Sequence, residues 1–361
     1  MRTTFAALLL AFATSLVAAS DALPEYQPAK RLSGTIRVSG NDQMTALLKR
    51  WERGFRKYQP DVHFEEWLKG SGSGMYGLEM RTADIALMGR PINPYERYGV
   101  YERAWVYPVE IEVATGSFAV PHKSPAYAIF VNKDNPLAKL TVKQLDGIFG
   151  AERGGGWKAL TWDEGAAHAK SDNLRTWGAL GLKGEWAARL IHVYGPPNLG
   201  AGAITYFQSR VMGGGAIFNE DLREYADRRQ MMAELERDPL GIAYAALGYR
   251  TAGVKPLAVA DGASSVFVEP TRESVANRTY PLARPVYVYY TIDNAKTEIA
   301  NPRVDPKVRE FLRYVLSRQG QQAVEREGVY LPLTAEVVGG QLKTIDSDEI
   351  PPERRLLKDE D

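Results

Sequence analysis

Gly34-Thr35-Ile36-Arg37-Val38-Ser39-Gly40-Asn41-Asp42, read with its later counterpart Gly70-Ser71-Gly72-Ser73-Gly74, decides the fold of this chain. Each glycine turn follows an extended apolar run and opens a helical pattern. A strand that turns on glycine into a helix points several free backbone N–H groups at one spot, and that spot favours an anion. A third junction of the same kind, Gly200-Ala201-Gly202-Ala203, carries no hydroxyls.

Working outward, Met44, Leu47, Leu48, Trp51 and Phe55 recur at helical spacing over 44–58. Residues 61–65 read as a second strand, 75–81 as a short helix and 84–88 as a third strand, an alternation that predicts a parallel sheet in an α/β lobe. The rhythm resumes with a strand at 126–132, a helix at 141–149, a strand at 190–193 and a helix at 203–211, so a second lobe begins near Val120. The Gly/Trp-rich stretch 154–184 reads as a loop-bearing insertion, 241–244 and 286–291 as late strands, and 308–316 as a helix with Phe311, Leu312 and Val315 inward. The acid-rich tail 346–361 is expected to be mobile.

With 361 residues, 45% hydrophobic and 25% charged, the chain is long enough for two lobes with separate cores. A net charge of +1 argues against bulk affinity for nucleic acid or membrane. Residues 2–20 join one basic residue, an apolar stretch and small residues, which predicts a signal peptide over 1–19 with a cut after Ala19. No later run is long enough to span a bilayer, and the chain has no cysteine for a lipid anchor or a disulfide. The expectation is a soluble periplasmic protein stabilised by core burial.

The run 34–40, the turn 70–74 and Ala83-Asp84-Ile85-Ala86-Leu87-Met88-Gly89-Arg90-Pro91-Ile92 together resemble the N-terminal lobe of the periplasmic phosphate-binding proteins that serve ABC transporters. The resemblance continues through Phe130-Val131-Asn132-Lys133-Asp134-Asn135-Pro136-Leu137, Gly241-Ile242-Ala243-Tyr244, Tyr280-Pro281-Leu282-Ala283-Arg284-Pro285-Val286-Tyr287 and Glu327-Gly328. It implies an α/β, two-lobed periplasmic binding protein fold (type II), with two parallel or mixed sheets flanked by helices. Lobe one would span 31–119 plus 285–345 and lobe two 120–284, with 280–285 as the return crossing. It also implies closure on a small anion, phosphate first, with an inner-membrane ABC permease as partner, no cofactor and a monomeric state.

Relatives hold phosphate with helix-start N–H groups, Ser/Thr hydroxyls, an Arg and often an Asp, so that fixed donors meet every oxygen. Carried onto this sequence, the resemblance points to Asn41, Asp42, Ser71, Gly72, Ser73, Arg90, Ala201, Gly202 and Ala203. Asn41 and Gln43 are donors on one reading, while on the other Asp42 merely caps the following helix. Arg90 either recognises the oxyanion or makes a salt bridge. In the third turn Tyr194-Gly195-Pro196-Pro197-Asn198-Leu199 precedes Ala201-Gly202-Ala203, so the hydroxyls and upstream Arg of relatives are missing.

Catalysis is not expected. His63, His122, His168 and His192 are scattered, no cysteine can act as nucleophile, and Gly-x-Ser-x-Gly does not occur. A binding-fold protein with another ligand or none, acting as a sensor or interaction partner, is the alternative. The aromatic run 95–107 would then be a contact surface or, on the other reading, packing beneath a loop.

Overall fold

The computed structural model describes residues 22–104, 107–158, 161–197, 202–262, 266–292 and 304–347. The expected signal peptide, Ala201 and nearly all of the acidic tail lie outside these residues.

The first lobe opens with β1 (Ser33–Gly40), a 3-10 turn (Asp42–Met44), α1 (Thr45–Phe55), β2 (Asp61–Leu68), α2 (Ser71–Glu79), β3 (Ile85–Met88), α3 (Pro94–Ala104) and β4 (Val109–Thr115). The chain then crosses to β5 (Tyr127–Asn132), β6 (Lys139–Thr141), α4 (Val142–Phe149), a hairpin of β7 (Gly156–Lys158) and β8 (Thr161–Asp163), and β9 (His192–Gly195). Next come α5 (Gly202–Val211), β10 (Arg223–Glu224), α6 (Arg228–Arg237), β11 (Gly241–Ala246), β12 (Val254–Pro256), β13 (Ala258–Ala260) and α7 (Arg272–Ala276). The return strand β14 (Pro285–Tyr290) is followed by α8 (Pro306–Val315), α9 (Arg318–Glu327) and α10 (Ala335–Asp346).

Two five-stranded sheets result, ordered β2-β1-β3-β14-β4 and β10-β9-β11-β5-β12. β1 pairs in parallel with β2 and β3, whereas β14 runs antiparallel to β3 and β4. The sheet is therefore mixed, because the chain re-enters it after its excursion through the other lobe. One core gathers Trp51, Phe55, Val288, Phe311 and Leu312, and the other Leu140, Phe149, Trp177, Phe207 and Tyr244. The fold is two-lobed α/β, with Phe311, Leu312 and Val315 buried as their spacing predicted.

α2 begins at Ser71, earlier than the 75–81 reading. Glycines weaken a helical signal, but here they serve packing: a Cβ at Gly74 would lie 3.2 Å from the Gly40 Cα, and one at Gly77 only 2.1 Å from the Ser39 Oγ. The stretch 154–184 holds the β7–β8 hairpin and several 3-10 turns, and it buries Trp177 completely.

The two crossings run side by side. Gly116 N donates to Arg284 O at 2.7 Å and Tyr127 N to Leu282 O at 3.1 Å. At Gly116 a Cβ would lie 1.9 Å from Ser124 O, so the strands of the hinge approach closely only because this residue is glycine.

Candidate anion-binding cleft

A cleft of about 750 Å³ lies between the two sheets. Asn41, Asp42, Gly70, Ser71 and Gly89 line one wall; Ser124, Tyr127, Arg228, Tyr244 and Tyr249 line the other; Arg284 enters from the return crossing. β1 and β3 end at this rim and α2 starts there, so the turns after the strands face the cleft.

Gly89 is the point on which the polar groups converge. Its N–H donates to Ser71 Oγ at 3.1 Å, and its carbonyl accepts from Ser124 Oγ at 2.9 Å and Arg284 Nη2 at 3.0 Å. A Cβ at this position would lie 2.4 Å from Asn41 Nδ2 and 2.6 Å from Ser124 Oγ, so glycine is what lets both side chains reach in. Ser124 and His122, also in the lining, hold positive φ values of 47° and 62°. Such backbone strain in non-glycine residues persists where the surroundings over-determine it, as they do on this doubly bonded crossing.

Arg284 is 5% exposed and forms no ion pair among the described residues. Its guanidinium carbon lies 5.2 Å from the ring centres of both Tyr127 and Tyr206, and its Nε has no hydrogen-bond partner. Neither ring supplies a counter-charge. Burial pushes the Tyr127 hydroxyl above its ordinary pKa, and Tyr206 is pushed up to about 12, also by burial first, against the pull of Arg210 and Arg284. A buried cation without a carboxylate loses hydration that only a few hydrogen bonds replace, and an anion in the adjoining cleft would supply the missing interaction.

Arg90, the cation singled out from the sequence, has different company. It is 8% exposed, and its Nη1 and Nη2 donate to the two oxygens of Glu96 at 2.7 and 2.5 Å. Nη1 also reaches Pro91 O at 3.0 Å. The salt-bridge reading of Arg90 is the one seen, and its stem passes Gly202, where a Cβ would lie 2.7 Å from Arg90 Cδ.

The other sequence-derived residues divide in the same way. Asn41, Asp42 and Ser71 face the cleft, while Gly72, Ser73, Arg90 and Gly202 are outside its lining. Asn41, rather than Asp42, caps the 3-10 turn, its Oδ1 accepting from Gln43 N at 3.0 Å. Ser73 Oγ donates to Gly70 O at 2.8 Å and so fastens the second turn. Gly70 offers no side-chain cap to α2, leaving first-turn N–H groups at Ser71 and Gly72 for another acceptor. Ala203 belongs to the first turn of α5, and Ala201 is outside the described residues.

Sequence reasoning missed Ser124, Arg284 and the tyrosines. Arg284 stands in the quoted run 280–287, which the sequence marks only as the return crossing. An arginine inside an apolar, proline-bounded segment was the available signal, since such a segment is buried and its charge needs a reason. In the aromatic run, Tyr95 and Tyr98 are exposed, whereas Tyr101 stacks on Tyr107 at 4.5 Å.

The PBP superfamily domain model matches residues 27–319. Phosphate-binding protein PstS of Pseudomonas aeruginosa is 32% identical over 342 residues, covering 95% of this chain and 96% of its own length. Among solved structures, PstS from Borrelia burgdorferi superposes with a TM-score of 0.53 at 17% identity, over 84% of this chain and 100% of that one. An ABC-type phosphate transport receptor from Vibrio cholerae gives 0.50 at 19% identity, over 82% and 99%. These two likenesses carry the two-lobed fold. By the superfamily match and the near full-length similarity to the Pseudomonas protein, the chain belongs to the PBP superfamily and, within it, to the phosphate-binding protein family.

Proposed function

We propose that this chain is an exported, monomeric solute-binding protein that captures an oxyanion, phosphate the first candidate, and presents it to an inner-membrane ABC permease. The observation that carries the reading is Arg284, buried at the cleft without a counter-ion among the described residues and converging with Ser71 and Ser124 on Gly89. The names of the similar Pseudomonas and Vibrio proteins support phosphate and transport as the class. On this reading lobe one is 31–119 plus 285–345, lobe two is 120–284, and residues 1–19 are removed on export. The oxyanion would sit between Arg284 and the start of α2, where Ser71 offers a hydroxyl and a free N–H.

Arg284 then takes the place of the guanidinium that the third turn lacks. Titration calorimetry of the mature chain with phosphate and sulfate tests the reading. Saturable phosphate binding is expected, and absence of heat with every oxyanion would leave the sensor or interaction-partner alternative in its place.

A further inference from the structure

Away from the cleft, the first lobe carries a second recess whose charge the oxyanion reading does not use. It has a volume of about 320 Å³, lies between α1 and α9, and shares no lining residue with the cleft. Every charged residue in its lining is a cation: Arg50, Arg53, Lys57 and Arg326. Composition does not predict this, since the chain has 45 lysines and arginines against 44 acids. The neighbouring carboxylates are engaged elsewhere, Glu52 with Lys49, Glu310 with Arg313 and Glu25 with Arg318, while Glu325, next to Arg326, stands outside the lining. Lys57 also borders two shallower hollows that hold Lys30, Arg31 and Arg56. Of these three, only Arg31 has an acidic partner among the described residues, Asp61 at 2.7 Å.

The recess has a shaped floor. Tyr314 of α8 is 3% exposed and still lines it, because the last turn of α1 has Gly54, where a Cβ would overlap the Tyr314 hydroxyl. Burial pushes that hydroxyl up to about 12, Tyr58 adds to the rise, and Arg326 pulls the other way. Gly54, Tyr58 and Arg326 all line the recess, so the hydroxyl they surround belongs to its floor. Arg50, Arg53 and Lys57 follow at spacings of three and four, and Lys57 N donates to Gly54 O at 3.2 Å, which carries the turn beyond α1. Like charges at those spacings and a glycine late in a helix both weaken it, and α1 accepts them together at this one place. A helix C-terminus favours a cation or two, but it does not account for four of them around a hydroxyl with no acid between them.

A single small ion would answer only part of this charge, and a bilayer of phosphodiester lipids presents its charges in a plane that cannot fill a recess. A condensed phosphate brings several charges on adjacent tetrahedral groups, whose oxygens suit the planar forks of three arginines and accept from a phenol. We propose that the recess between α1 and α9 is a second anion site, taking a soluble polyphosphorylated anion. Arg50, Arg53, Lys57 and Arg326 surround its phosphates, and the Tyr314 hydroxyl meets it at the floor. The site is independent of what the cleft holds.

Titration calorimetry of the mature chain with tripolyphosphate, citrate and phosphatidylglycerol vesicles tests this. Tripolyphosphate is expected to bind at one site per chain, at least tenfold more tightly than citrate, and to weaken about tenfold between roughly 50 and 200 mM salt. Replacing Arg50, Arg53 and Arg326 together by Gln should weaken it about a hundredfold or more and leave phosphate binding in the cleft unchanged, whereas Arg284→Met should do the reverse. Tyr314→Phe should lower the tripolyphosphate affinity about fivefold, an effect that diffuse attraction to a basic surface would not show, with the melting temperature as a check on folding. No tripolyphosphate binding, or binding that the triple variant keeps, overturns the site, and binding that Arg284→Met removes puts the polyanion in the cleft instead. Citrate binding as tightly overturns the phosphate class. Vesicle binding without tripolyphosphate binding makes this face a membrane contact, and an unaltered Tyr314→Phe affinity overturns the role given to the hydroxyl.

Discussion

Arg90 and Arg284 flank the same glycine in space and are almost equally buried, yet among the described residues the first has a carboxylate partner and the second has none. Arg90 and Glu96 form a closed pair with bidentate geometry, so the guanidinium is neutral to its surroundings and fixes the turn that follows β3. Arg284 has two tyrosine faces and a peptide carbonyl, which hold its position without cancelling its charge. Burial alone therefore does not mark a binding cation. What marks it is a charge whose local partners are all neutral, aimed at space a ligand can enter.

The largest expected effect comes from breaking the unpaired member. Arg284→Met should weaken oxyanion binding by about a hundredfold or more, since charged hydrogen bonds contribute about 1.5–3 kcal/mol each. The variant's melting temperature should hold or rise, because an uncompensated buried charge has been removed. Calorimetry and thermal melting on one sample measure both halves, and retained tight binding would locate the anion elsewhere.

The paired member should behave in the opposite sense. Arg90→Ala leaves the Glu96 carboxylate, only 16% exposed, without its cation, and is expected to cost about 2 kcal/mol of stability while affinity in the folded fraction changes little. Denaturant unfolding beside calorimetry reads the split. Loss of binding without loss of stability would make Arg90 a ligand residue after all.

A smaller effect separates the cleft from its frame. Glu52, on α1 and outside the cleft lining, has its carboxyl pushed up to about 7, first by burial and then by the Glu66 carboxylate, with Lys49 pulling the other way. The folded pKa lies above the ordinary value of 4.5, so the stability tied to the bound proton is complete below about pH 4.5 and is lost as pH rises through about 7. Glu52→Gln should flatten that decline by about 1–2 kcal/mol between pH 5 and 8. Urea midpoints across the range test it, and Arg284→Met should leave the decline intact.

The elements of both lobes were legible because their signals are local. Apolar spacing placed α1 and α8, and Gly40, which ends β1, announced a turn whose φ of 127° favours glycine. The start of α2 was read late, since glycines weaken a lone helix, whereas Gly74 and Gly77 are the residues that let this one lie on β1. The aromatic run divided between exposed and stacked rings, a distinction that composition does not carry.

Strand, turn and helix preferences act between near neighbours, so the chain's order sufficed for a two-lobed α/β fold with the helix starts of the first lobe at one rim, while the start of α5 lies outside the cleft lining. The same order also placed Asn41, Asp42 and Ser71 at that rim, since each follows directly from the turn that holds it. Which arginine faces the ligand was decided only in three dimensions. Glu96 lies six residues from Arg90, but Tyr127, Tyr206 and Gly89 are brought to Arg284 across sequence separations of 78 to 195 residues. The free energy of a buried charge depends on every group around it, and those groups are assembled by the two crossings rather than by the chain's order.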